Sequence, residues 1–351
     1  FVGAVYLVSG RMIRFDLAMR DFLLLVFFAG IGLKSDVRTL VRGGRPLGVL
    51  VVLATAFILL QNFTGMGVAS LFGLDPKAGL MVGSVSLTGG VGTTLAWAPI
   101  FTAEHGIMNA MELGVAANTV GLIAACVIGG PIAAFLIRRR GIVPSGNIDL
   151  DVGASHHDAG TQMDYFCVLW AILTLNVTVM FGMGLHALVV AAGVTLPAFV
   201  SCLVAGILIR NLMPLAPGNA VRRVWPGVGD GLALISDLSL GLFLTMALMG
   251  LQIWELNGVF LFIATVLAIQ ITLTVVFTVL VVFPAMGRDY EAAVISAGFG
   301  GITLGSTATA IANMTAVTQQ YGAAHRAFVI VPLVCGFFID IVNALAISTF
   351  L

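Results

Sequence analysis

Two stretches of this sequence combine glycine with small hydroxyl residues in a way suited to holding ions. They are "GGVGTT" (Gly89–Thr94), inside "SLTGGVGTTLAWAPIF", and "GFGGITLGST" (Gly298–Thr307). The N-terminus of a half-helix carries partial positive charge and free N–H groups, which suit a carboxylate. Exposed carbonyls and threonine hydroxyls suit a hard cation such as sodium. The candidate substrate ligands are therefore Gly89, Gly90, Gly92, Thr93 and Thr94 in the first stretch. In the second they are Gly298, Gly300, Gly301, Ser306 and Thr307. A phosphate loop is excluded, because no Lys follows Gly92 and no strand precedes it.

A second set of polar groups lies in or beside apolar runs. Asp340 and Asn343, in "FFIDIVNAL", are three residues apart and so share a helix face; Asn118 and Asn313 are the others. Such groups are expensive in lipid, so ligation of a sodium ion is the expected role for all four.

The elements that must position these residues follow from composition. Of 351 residues, 60% are hydrophobic and 9% charged, against about 25% charged in a soluble domain. Apolar runs recur at Pro46–Leu60, Gly114–Ile137, Phe166–Met183, Phe260–Phe283 and Ala327–Leu351, each near the roughly 20 residues that cross a bilayer as helix. None alternates with the period of a barrel strand, so an all-α integral membrane protein is expected. Net charge is zero, which gives no case for nucleic acid. Cys126, Cys167, Cys202 and Cys335 fall in apolar runs at no zinc or redox spacing and read as small packing residues.

The polar segment Arg138–Asp164 divides the chain into halves that match. "LLLVFFAGIGL" (23–33) pairs with "LFLTMALMGLQ" (242–252), and "GLDPKAGLMVGSVSLTGG" with "GRDYEAAVISAGFGG", aligning Asp75 with Asp289. The duplication has a period of about 210 residues. "FVGAVYLVSGRMI" (1–13) matches "FVSCLVAGILIRNLM" (199–213), so the helix expected near Tyr165–Val190 has no counterpart before residue 1. The reading is a first repeat (1–137) lacking its first helix, a linker (138–164) and a second repeat (165–351).

Each glycine-rich segment, about 74–104 and 287–319, is too broken for a lipid-facing helix yet long enough for two half-helices that dip in and return. Five spans plus one re-entrant hairpin per repeat would give the halves opposite orientation. The positive-inside rule agrees when the linker is cytoplasmic and the C-terminus periplasmic. The inner loops then hold Lys34, Arg38, Arg42, Arg45, Arg138, Arg139, Arg140, Arg210, Arg222, Arg223, Arg288 and Arg326, and the outer side Arg11, Arg14, Arg20 and Lys77. Inversion would bring both glycine tips together near the midplane. A secondary transporter for a small anion is the expectation. Tight helix packing is the blander use of such glycines, and an ion channel is the competing function. An intramembrane enzyme is excluded by the lack of a His-Glu-x-x-His motif and of a convincing partner for Asp340.

The chain resembles the bacterial sodium/glutamate symporter family through "LAMRDFLLLVFFAGIGL", "GLDPKAGLMVGSVSLTGGVGTTLAW", "LSLGLFLTMALMGLQIWEL", "GSTATAIANMTAVTQQYG" and "FFIDIVNAL". The resemblance implies an inner-membrane homodimer surrounded by lipid, sodium-driven uptake of L-glutamate, and an elevator-like movement of the hairpin-bearing part. Family members carry His where Val91 and Phe299 stand here. That departure admits another amino acid, a dicarboxylate or another organic anion as substrate, with sodium or protons as coupling ion.

Overall fold

The computed structural model describes residues 18–35, 37–142, 165–191, 197–212, 219–249 and 259–351. Residues 1–13, most of the linker, and Trp254 lie outside them. Every regular element among the described residues is helical, as the unbroken apolar runs require. Among the described residues, four helices are long and apolar enough to cross a membrane: Gly44–Leu71, Ala110–Arg140, Tyr165–Ala191 and Phe260–Ala285. A fifth span results if the bent pair His325–Gly336 and Asp340–Phe350 is counted as one.

The helices sort into two compact units, and each unit draws on both halves of the sequence. The first takes Phe1–Arg38 and Asp158–Glu255. It contains α1 (Ala18–Lys34), α6 (Tyr165–Ala191), α7 (Ala198–Leu212) and α8 (Asn219–Met249). Its core is Val26, Ala29, Leu33, Ala171, Leu175, Val179, Cys202 and Leu232. α1 and α7 touch backbone to backbone, since a Cβ on Gly206 would lie 2.9 Å from the Gly32 Cα.

The second unit takes Thr39–His157 and Leu256–Leu351. Helix α2 (Val37–Leu71) breaks at Gly44, whose φ of 56° only glycine adopts readily, and Pro46 follows. α3 (Ala78–Met81) continues through tight turns to α4 (Gly90–His105). Next come α5 (Ala110–Arg140) and, in the second half, α9 (Phe260–Ala285), which widens to π geometry over Thr278–Val282. α10 (Tyr290–Leu304) and α11 (Thr307–Tyr321) follow, then α12 (His325–Leu333), a π segment Val334–Ile339 and α13 (Asp340–Phe350). α1 and α8, which carry the matched stretches beginning at Leu23 and Leu242, thus share the first unit.

Both glycine-rich segments fold as helical hairpins. In the first, the Lys77 ammonium and His105 Nδ1 are 3.0 Å apart, closing the base where the chain enters and leaves. In the second, the Tyr290 hydroxyl donates to the Gly322 carbonyl at 2.6 Å and closes the base the same way. The matched aspartates start the two first legs: Asp75 accepts from the Lys77 N–H at 2.8 Å, and Asp289 caps α10 by accepting from the Ala292 N–H at 2.7 Å.

Candidate functional site

Each hairpin turns at a glycine. Gly90 has φ +75°, a left-handed conformation that frees α4 to start in a new direction. In the second hairpin α10 ends at Gly305, and Ser306 caps α11 by accepting from the Thr309 N–H at 3.3 Å. The two turns lie together: a Cβ on Gly90 would sit 3.6 Å from the Gly305 carbonyl oxygen. Two helix N-termini, of α4 and α11, therefore meet at one place, and their N–H groups and dipoles favour an anion there.

Around this junction the structure gathers amide side chains. Asn118, on α5, donates to the Ser86 carbonyl at 2.9 Å, and its amide nitrogen would be 4.0 Å from a Cβ on Gly90. Asn343, on α13, donates to the Ser84 carbonyl at 3.0 Å and would lie 2.7 Å from a Cβ on Gly89. Any side chain at Gly89 would displace it. The Asn343 side-chain oxygen and the Ser84 and Ser86 hydroxyls are buried and have no hydrogen-bond partner. Buried oxygens left this way are costly, and they have the chemistry of ligands for a hard cation.

The other expected site residues separate into groups. Thr93 is buried beside Gly89, and the Thr94 hydroxyl donates to the Gly90 carbonyl at 2.9 Å while its methyl packs where a Gly114 side chain would go. Gly92 is half-buried in the first turn of α4, and Thr307 is exposed in the first turn of α11. The Cys335 thiol, in the π segment, reaches the Thr307 side chain, and Asp340 begins the helix that follows that segment.

Gly298 and Gly301 have a packing function. A Cβ on Gly298 would be 2.8 Å from the Met314 sulfur, and one on Gly301 would be 2.5 Å from the Ala310 Cα. They let the antiparallel legs α10 and α11 close on one another, below the turn. Gly300 faces Ile128 at ordinary contact distance. Asn313 is also below the turn; it donates to the Ala125 carbonyl at 3.0 Å and to the Ala297 carbonyl at 3.4 Å, clasping α11 to α5 and α10. It fits only because residue 129 is glycine, for a Cβ there would overlap the Asn313 side chain.

Val91 and Phe299, where the resemblance implies histidines, fall in different surroundings. Val91 follows the turn glycine and is half-buried at the junction. Phe299 is fully buried six residues before Gly305, stacked on Phe277 with ring centroids 6.0 Å apart and edge-on to Phe57 at 5.7 Å. It belongs to the apolar core rather than to the hairpin tip where the sequence comparison had placed it.

Sequence reasoning missed a polar cluster beside the junction. Gln61, fully buried on α2, donates to the Thr303 carbonyl at 2.8 Å and accepts from the Thr88 hydroxyl at 2.5 Å. Thr88 and Thr303 each precede a hairpin turn by two residues, so one side chain holds both tips. Gln270, also fully buried, donates to the Gln61 main-chain carbonyl at 2.9 Å. Nearby, Asn62 accepts from the Ser84 N–H at 3.1 Å. Each glutamine is a single polar residue in an apolar run, which is the one signal the sequence carries for them.

A profile of the sodium/glutamate symporter family matches residues 1–323. The chain belongs to the sodium/glutamate symporter family. It is 37% identical over 345 residues to a sodium/glutamate symporter of Escherichia coli (strain K12), covering 97% of this chain and 84% of that protein. A sodium/glutamate symporter of Haemophilus influenzae is 37% identical over 341 residues, covering 96% of this chain and 83% of that protein. This is a family of transporters rather than enzymes, consistent with a site built from helix ends, amides and hydroxyls.

Proposed function

We propose that the chain is a secondary active transporter that couples sodium to the movement of L-glutamate, or a closely related small carboxylate, across the bacterial inner membrane. The observation that carries this reading is the meeting of the α4 and α11 N-termini at Gly90 and Gly305. There, backbone N–H groups are available to a carboxylate. Unpaired oxygens of Asn343, Ser84 and Ser86 lie on the adjoining leg and helix and are available to sodium. The names of the relatives supply the substrate pair.

Membrane placement of the hairpins is part of the proposal. α4 has 16 residues and α10 and α11 have 15 each, about 24 Å or less at 1.5 Å per residue, short of a 30 Å hydrocarbon core. Closed bases and short legs suit segments that enter and leave on one side, with the repeats inverted so that the tips meet. Both hairpins and the side chains that hold them belong to one compact unit. In an elevator-like cycle that unit would carry the site across, while the other unit would hold the homodimer. Thr93, Ser306 and Thr307 supply hydroxyls to substrate or ion; Asn118 and Asn343 hold the first tip, with Asp340 at the start of the helix that carries Asn343.

Val91 supports a second substrate reading. An apolar side chain at the tip, where the family resemblance implies an imidazole, suits a different amino acid or a dicarboxylate. Uptake of labelled L-glutamate into proteoliposomes tests the assignment. The expected result is accumulation that requires an inward sodium gradient and is competed by unlabelled glutamate. Uptake competed only by other carboxylates would support the second reading, and single-channel currents would contradict both.

A further inference from the structure

We infer that the groove between α5 and α9 is a binding site for one acyl chain of an anionic phospholipid whose headgroup phosphate rests on Arg138–Arg140. This inference is independent of the transport reading. The groove has a volume of about 560 Å³ and a wholly apolar lining that includes Val127, Pro131 and Phe135 of α5 and Val276, Val279 and Leu280 of α9. It runs eight residues along α5, about 12 Å at the helical rise. Irregular backbone on both walls opens it. Pro131 has no N–H for the Val127 carbonyl one turn earlier, and α9 is wound as π-helix over Thr278–Val282.

Charge decides what fills it. In a bilayer an apolar groove gains little from a lipid tail in general, because every neighbour is equally apolar. Selection must come from the rim. At the end of α5 the arginines 138, 139 and 140 are exposed, and among the described residues none of them is in an ion pair. The Arg139 guanidinium lies over the Phe135 ring, 5.4 Å from its centroid, so the cationic cluster is joined to a residue of the groove wall. An apolar channel ending at three guanidinium groups that form no ion pair among the described residues matches a molecule with a phosphate at the head of an acyl chain.

The test measures lipid binding to the purified, detergent-solubilised protein by native mass spectrometry, comparing dioleoyl phosphatidylglycerol with dioleoyl phosphatidylcholine. The expected result is selective retention of phosphatidylglycerol. Replacing all three arginines (R138Q, R139Q and R140Q together) should weaken it on the order of 100-fold, from about fivefold per basic residue. Val276→Trp, which fills the groove from an exposed position, should weaken it without lowering the melting temperature; Leu280→Trp serves if that variant does not fold. Equal retention of phosphatidylcholine would reduce the site to ordinary solvation by lipid. Unchanged binding in the filled-groove variant, or full competition by soluble glycerol phosphate, would show that the arginines bind phosphate without the groove. Each of those results overturns the inference.

Discussion

Gln270 donates its side-chain amide to the main-chain carbonyl of Gln61 at 2.9 Å, so two fully buried glutamines, one from each half of the sequence, are in contact. Gln61 in turn engages Thr303 and Thr88, next to the two hairpin turns. The two glutamines stand in series where the tips meet: one holds both tips, and the other holds the first glutamine.

That hierarchy gives a ranking of stability. Gln61→Ala leaves the Thr88 hydroxyl and the Thr303 carbonyl with their mutual 3.4 Å hydrogen bond in place of the Gln61 contacts and should cost roughly 1–3 kcal/mol. Gln270→Ala removes one bond and should cost less. Thermal melting of the two variants in detergent checks the order; equal melting temperatures would contradict the assignment of Gln61 as the shared tie.

Gly129 and Gly130 are neighbours with opposite expectations. A Cβ at Gly129 overlaps Asn313, whereas one at Gly130 meets nothing within 4 Å. Gly129→Ala should therefore destabilise by about 1–3 kcal/mol through overpacking. Gly130→Ala should be neutral or stabilise by up to about 1 kcal/mol. Combining Gly129→Ala with Asn313→Ala should cost less than the sum of the two, which a double-mutant cycle of melting measurements would read directly.

Val91 and Phe299 should respond differently to replacement by the histidines that the resemblance implies. Val91→His places an imidazole at the half-buried tip and should alter which carboxylates compete for uptake, with stability kept. Phe299→His puts a polar ring among Phe57 and Phe277 and should cost roughly 1–3 kcal/mol for its unpaired polar atoms. Competition profiles and melting curves of both variants separate the effects. A specificity change from Phe299→His in folded protein would count against its placement in the core.

Sodium dependence should track the unpaired oxygens. Asn343→Ala removes a buried oxygen and the support of Ser84, and should raise the half-saturating sodium concentration about tenfold, the equivalent of one lost polar contact. Thr94→Val should change it little, because that hydroxyl serves the Gly90 carbonyl. Equal responses in a sodium titration of uptake would contradict the distinction.

Much of this arrangement was legible in the sequence because it rests on spacing. Apolar run length marked the long helices, the match of Asp75 with Asp289 located the two hairpin starts, and paired glycine segments located their turns. What spacing does not encode is depth along a hairpin leg. Gly298 and Gly301 resemble Gly89 and Gly90 as letters, yet they close two legs together, while Gly90 makes a turn. Asn313 resembles Asn118, but lies below the junction because Gly129 leaves room for it there. Gln61 and Gln270 are each one polar letter in an apolar run, and spacing does not show that one reaches the other.

The central claim is that substrate binds where the two turns meet, and cysteine protection addresses it most directly. In a background with Cys126, Cys167, Cys202 and Cys335 replaced by alanine, Ser306→Cys and Val91→Cys would each be reacted with a small polar thiol reagent. The account predicts that L-glutamate slows both reactions several-fold in sodium and not in choline. Rates unaffected by glutamate at both positions, in protein that still transports it, would place the substrate elsewhere and contradict the account.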